Sequence, residues 1–265
     1  MTKRILIIIT IISAVACGQR APATSGTTAA ETTAPETAAV NADVPTVEEF
    51  DDMIDGERHP IDIQMDKDME ADDSTAGTIE AYEKASEAWE REIRKNYDAL
   101  LNLLNNDDCR KKLRTAQEAW LAFQKDEMAF NSDYWNLFSG TMFAPATLYY
   151  RMYLARKRAF ELWYYFNKAT YVCDTYFDQN TDVRSETGWD QLLNENYKRL
   201  MGKLNKTQQN QLRAAQRRWI AYRDAEDECY NTCNLMVDNP EYVLLIIRER
   251  ALRLDKYAND IDELK

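Results

Sequence analysis

The stretch LRTAQEAWLAFQKDE, Leu113 to Glu127, returns about a hundred residues later as LRAAQRRWIAYRDAEDEC, Leu212 to Cys229. A phrase written twice at this spacing marks a supersecondary unit used twice, so both copies must occupy equivalent places in the fold. The flanks repeat as well. Trp89, Tyr97, Leu100 and Leu104 recur as Trp189, Tyr197, Leu200 and Leu204 at an offset of 100. Leu113, Arg114, Ala116, Gln117, Trp120 and Ala122 recur as Leu212, Arg213, Ala215, Gln216, Trp219 and Ala221 at an offset of 99. Arg156, Arg158, Ala159 and Leu162 recur as Arg248, Arg250, Ala251 and Leu254 at an offset of 92. Each unit therefore holds three segments in one order.

The spacing within those segments is helical. Ile79, Tyr82, Ser86, Trp89, Ile93, Asn96, Leu100 and Leu104 advance by three and four residues, as do Leu113, Gln117, Trp120 and Phe123, with Phe130 two turns further on. Glycine (7) and proline (6) are too scarce for a turn-rich β fold. Ser74 or Thr75 can cap the first helix and Thr207 the fifth, while Asn239 before Pro240 and Glu241 starts the sixth. Helices are expected near 76–105, 109–134, 145–172, 186–205, 207–236 and 240–263. The fold class is all-α: two tandem three-helix units, residues 57–175 and 176–265. In each unit the repeated phrase is the middle helix. Trp89, Tyr97, Trp120, Trp189, Tyr197, Trp219 and Tyr222 read as core, since large rings at helical spacing are usually packing rather than a ligand box. Gln117 and Gln216 lie on the same stripe. Buried there, each amide needs a hydrogen-bond partner on a neighbouring helix.

Ahead of these units lies an address and a tether. Lys3 and Arg4 precede an apolar run, Ile5 to Ala14, too short to span a bilayer, and Ala14, Val15 and Ala16 place small residues before Cys17. The pattern resembles a bacterial lipobox: residues 1–16 a signal peptide, Cys17 the lipidated residue. The plainer alternative is an ordinary secretory signal. Residues 17–56 carry Thr, Ala, Pro and Glu with few large apolar side chains, a composition that cannot bury enough surface to fold. Loss of Lys3 and Arg4 leaves 33 − 2 = 31 basic against 45 acidic residues, a formal charge of −14. That balance argues against nucleic acid as a partner; it reads first as solubility in the envelope, with attraction of a cationic protein partner as the alternative.

No catalytic centre assembles from the sequence. The one histidine, His59, has no visible triad partner. The acidic run Asp66, Asp68, Glu70, Asp72 and Asp73 lacks the glycine and the bidentate glutamate of a calcium loop, and reads as a solvated edge. Zinc would need all four cysteines of the helical units, Cys109, Cys173, Cys229 and Cys233, to converge. Asp224, Asp227 and Glu228 share a helical face and could do paired-carboxylate chemistry, but with no cleft signal they read as a charged surface stripe. The reading is a non-enzyme with no cofactor and no metal. Cys109, Cys173, Cys229 and Cys233 form an even set with three fully paired connectivities. Cys229 and Cys233, four apart on one helix, should not bridge each other. The expected bridge runs from Cys173, near the end of the third helix, to Cys229 or Cys233.

Trp189, Asp190, Leu193, Asn194 and Tyr197, followed by Gln216, Trp219, Tyr222, Arg223 and Asp224, resemble the signature of the LprI-like lysozyme-inhibitor family. The first unit opens with HPID (His59 to Asp62) and DSTAG (Asp73 to Gly77), similar to the family's N-terminal motif, and then keeps only Trp89 with Glu90 and Phe123 with Gln124 and Lys125. The resemblance covers about residues 57–255. It departs where the family has cysteines, near Lys67 or Asp68 and near Ala81, so the family's disulfide scheme does not transfer whole. It implies a lipid-anchored protein of the cell envelope, in the periplasm or at the cell surface, that binds a protein ligand such as a cationic lysozyme-like muramidase. The acidic stripe Asp224, Asp227 and Glu228 is the candidate partner-facing feature. The alternative is a structural or adaptor lipoprotein in an envelope complex.

Overall fold

The computed structural model describes residues 59–138, 143–167, 186–233, 235 and 242–264. Among the described residues there are seven helices and no strand: α1 (Pro60–Ala71), α2 (Thr75–Leu103), α3 (Asp107–Trp135), α4 (Ala144–Asn167), α5 (Glu186–Lys203), α6 (Lys206–Cys233) and α7 (Tyr242–Leu264). Helices stand at all six expected places. Cys17, the signal segment, the tether, Cys173 and the Asn239–Pro240 start signal lie outside the described residues.

Helix α1 has no counterpart in the sequence reading, which placed the HPID motif at the opening of the first unit and read the acidic run after it as a solvated edge, with no helix over either. His59 caps it by accepting from the Ile61 amide at 3.2 Å, and Pro60 supplies the fixed φ of a first helical residue. Asp62 turns inward instead of to water and takes a bidentate grip from Arg156 on α4, at 2.8 to 3.1 Å. The turn into α2 is built by Ser74, whose hydroxyl accepts from the Gly77 amide at 3.1 Å. A Cβ at Gly77 would stand 2.2 Å from the Asp72 carbonyl oxygen, so only glycine lets α1 and α2 approach this closely. At the start of α6 the expected Thr207 cap is replaced by Asn205. Its side chain accepts from the Gln208 amide at 3.0 Å while Gln208 returns a bond to the Asn205 amide at 3.2 Å, a reciprocal capping box one turn long.

Helices α3 and α6, the two copies of the repeated phrase, lie side by side and antiparallel. Cys109 bonds Cys233, Lys112 meets Glu228, Asp126 meets Arg218, and Asp133 accepts from Gln208 and Gln211, so one number falls as the other rises. Outside this pair α2 packs along α4 and α5 along α7, both parallel. Asn96 donates to the Ala159 carbonyl at 3.1 Å and Asn196 to the Ala251 carbonyl at 2.9 Å, the same bond made once per unit. One continuous apolar core runs through both units and holds Trp89, Trp120, Trp189, Trp219 and Tyr222 together with Leu100, Leu113, Leu200 and Leu212. Tyr97 and Tyr197 are half-buried at its margin.

Candidate functional site

Helix α4 is enclosed more completely than the repeated phrase itself: Met152, Tyr153, Leu154, Ala155, Arg156, Arg158, Ala159, Glu161, Leu162 and Tyr165 are all buried. Several of these are charged, and the reason is visible one helix away. Gln117, on the inner stripe of α3, accepts from the Arg158 Nε at 2.9 Å, and Gln216 accepts from the Arg250 Nε at the same 2.9 Å. Each amide thus has its partner on the neighbouring helix of its own unit. The remaining face of each guanidinium reaches across to the other unit. Arg158 on α4 pairs with Glu226 on α6, and Arg250 on α7 pairs with Glu127 on α3 at 2.8 Å. Both carboxylates are 0% exposed. A tyrosine completes each: Tyr165 donates to Glu226 at 2.7 Å and Tyr257 to Glu127 at 3.4 Å.

The two clusters extend toward each other. Glu161 accepts from Arg158 and from the Tyr222 hydroxyl, Lys157 pairs with Glu249, and Tyr153 donates to Glu249 at 2.9 Å. Arg253 lies 4.3 Å from the Tyr150 ring centroid, with Tyr153 and Tyr257 also around it. Burial is the main influence on Glu226, holding its carboxyl above the usual range while the Arg158 charge pulls the other way. Burial also raises the hydroxyls of Tyr150, Tyr153, Tyr222 and Tyr257, so all of them act as donors at neutral pH. Chemically the cluster is a sealed polar seam. Glu127 and Glu226 cannot reach a substrate, and taking either partner away would strand a charge in the core.

The acidic stripe sits elsewhere, on the outer side of α6. Asp224 and Glu228 are exposed and Asp227 is half-buried. None of the three stands alone. Asp224 pairs with Arg223 at 2.7 Å, Asp227 accepts from Asn231 at 2.7 Å, and Glu228 pairs with Lys112 of α3 at 2.6 Å. The Lys112 bond pulls the Glu228 carboxyl below its ordinary range and raises the Lys112 ammonium in return. Arg223 lies over the Trp219 ring, 5.4 Å from its centroid.

The cysteines correct the expectation drawn from the sequence. The bridge joins Cys109 to Cys233, Cα atoms 5.4 Å apart and 124 residues apart in sequence, where a Cys173 bridge to Cys229 or Cys233 was expected. Cys229 is a free, buried thiol pushed up to about 12 chiefly by burial. The antiparallel α3–α6 contact carries the start of one copy to the end of the other, a pairing that position along each helix alone does not reveal. Among the described residues no group of three or more His, Cys, Asp and Glu is arranged to hold a metal ion. No helix of the described residues is long and apolar enough to cross a membrane.

The sequence profile of the family described as Lysozyme inhibitor LprI matches residues 66–162 and 183–251, more than half of the chain. This chain belongs to the LprI family. The two matched stretches carry the two copies of the repeat, so the LprI pattern here is the α2–α3–α4 and α5–α6–α7 arrangement. No curated protein matches. A crystal structure of an uncharacterized protein from Burkholderia thailandensis is similar, with a TM-score of 0.61 and 26% identity over 77% of this chain and 98% of that one. Of the residues that carried the resemblance in sequence, Gln216 receives Arg250 and Trp189 and Trp219 are core, while Asp62, ahead of the matched stretch, anchors α1.

Proposed function

We propose that this LprI protein is a cell-envelope binding protein, held by a lipid on Cys17, that inhibits a cationic lysozyme-like muramidase by binding it through its helical surface. Membership of the lysozyme-inhibitor family, over both repeats, is the observation that carries this reading. The formal charge of −14 after loss of residues 1–16 supports it, because an acidic protein gathers a basic one by long-range attraction. Residues 17–56 serve as the tether between anchor and helices. Asp224, Asp227 and Glu228 are offered as part of the contact, in competition with their internal partners Arg223, Asn231 and Lys112. No catalysis is proposed: the carboxylates with the most unusual surroundings are sealed in the core, away from any substrate.

The test is direct. The soluble chain is added in molar excess to c-type, g-type and invertebrate-type lysozymes at low salt, and lysis of cell-wall substrate is followed by turbidity. Slowed lysis of at least one enzyme, weakening as salt is raised, is expected. Undiminished lysis of all three, with no heat of binding by calorimetry, overturns the inhibitor reading and leaves the envelope adaptor.

A further inference from the structure

The contacts that hold the two repeats together come in exchanged pairs. Arg158 to Glu226 is matched by Arg250 to Glu127, and Tyr165 to Glu226 is matched by Tyr257 to Glu127. Positions on the exchange axis meet their own equivalents: Phe123 stacks on Tyr222, and Lys157 pairs with Glu249. A contact in which i touches j and j touches i is isologous, the form taken by the interface of a two-fold homodimer. Here it is made within one chain, and among the described residues the Cys109–Cys233 bridge is the one disulfide across it, beside the chain connection through residues 168–185.

We propose that the face each repeat shows to the other is also the surface by which two copies of this chain associate, the first repeat of one chain closing on the second repeat of another. The same buried Arg–Glu pairs would form in either arrangement, so closed monomer and exchanged dimer differ little in contact energy. What separates them is effective concentration. The connecting stretch of 18 residues has a contour of at most ~60 Å at ~3.4 Å per residue. A linker of that kind holds the two repeats at an effective concentration on the order of millimolar, which favours the monomer in dilute solution. Crowding of anchored chains on a membrane would narrow the difference. The bridge from Cys109 to Cys233 then fixes whichever arrangement is present when it forms, since it joins α3 of the first repeat to α6 of the second.

The experiment uses the full chain, half of it uniformly 15N-labelled. Labelled and unlabelled chains are mixed in equal amounts, unfolded with reductant, refolded at a series of concentrations and reoxidised. A second arm reduces the native mixture without denaturant, concentrates it and reoxidises it. In both, the Cys109–Cys233 peptide is isolated and its isotope content read by mass spectrometry. The expected result is a hybrid peptide, one strand light and one heavy, that rises with protein concentration and approaches half of the bridges in the dimer fraction. That fraction should keep a helical circular dichroism spectrum. Bridges that are wholly light or wholly heavy at every concentration in both arms overturn the proposal, as do dimers whose Cys109–Cys233 bridge lies within one chain.

Discussion

Phe123 and Tyr222 stack with their ring planes 2° apart and centroids 5.8 Å apart, and they are the same position in the two copies of the repeat. Residues equivalent in sequence can meet face to face only if the copies are related by a two-fold rotation passing between them. That single relationship accounts for the antiparallel α3–α6 pair and for the exchanged Arg–Glu contacts around it. It also explains why the disulfide joins the beginning of α3 to the end of α6.

The tryptophans of the repeated phrase should be costly to remove. Trp120 and Trp219 are 4% and 3% exposed. Trp120→Ala and Trp219→Ala should each lower unfolding free energy by about 3 to 5 kcal/mol, read from denaturant melts. Unchanged melts for both would place the rings at the surface.

Gly77→Ala should destabilise the chain by about 1 to 3 kcal/mol, because the new methyl meets a backbone carbonyl that cannot swing aside. Gly202, with nothing near a built Cβ, is the control: Gly202→Ala in the helix α5 should be neutral or slightly stabilising. Equal melting temperatures for the two variants would contradict the tight α1–α2 turn.

His59 makes stability depend on pH. Burial lowers its pKa in the fold, against the opposing pull of Asp62 and Glu92 and with help from Arg156 and Lys95. The unfolded chain therefore binds the proton more readily, and stability is lost as pH falls from above the unfolded value near 6.5 through the lower folded value. Protonation also removes the Nδ1 acceptor that caps α1. Melting temperatures compared at pH 7.5 and pH 5.5 should fall more for the native chain than for His59→Asn, whose side chain can still cap. Equal falls would remove His59 from the pH response.

The thiols give a chemical check. Cys229 should resist alkylation in the folded chain and react only on unfolding, because it is buried and its pKa is pushed up to about 12. Replacing both Cys109 and Cys233 by alanine should cost about 2 to 5 kcal/mol, the chain-entropy value for so long a loop. Rapid labelling of Cys229 in the native protein would contradict its burial.

Much of the architecture was legible because helical periodicity is local. Trp89, Ile93, Asn96 and Leu100 mark the inner face of α2 without reference to any other helix. The need of Gln117 and Gln216 for partners was equally legible, but not that the partners are Arg158 and Arg250. Nothing in a run such as Arg156, Lys157, Arg158 distinguishes a solvated face from a buried one until α4 is placed among its neighbours. Asp62 was hidden for the same reason: an aspartate after proline reads as a first-turn acid, and its role comes from Arg156, 94 residues away. Pairing between distant segments decided the disulfide too, and helical position alone pointed to the wrong cysteine.

The reciprocal Arg–Glu arrangement is tested most directly by two double-mutant cycles in urea, one on Arg158 and Glu226 and one on Arg250 and Glu127, with methionine for arginine and leucine for glutamate. Each single replacement should cost about 3 to 5 kcal/mol by stranding its buried partner, and each double replacement should recover a large part of that loss. The two coupling energies should share a sign and agree within about 1 kcal/mol. Coupling near zero in both cycles, or a large value in one and none in the other, would contradict a two-fold core.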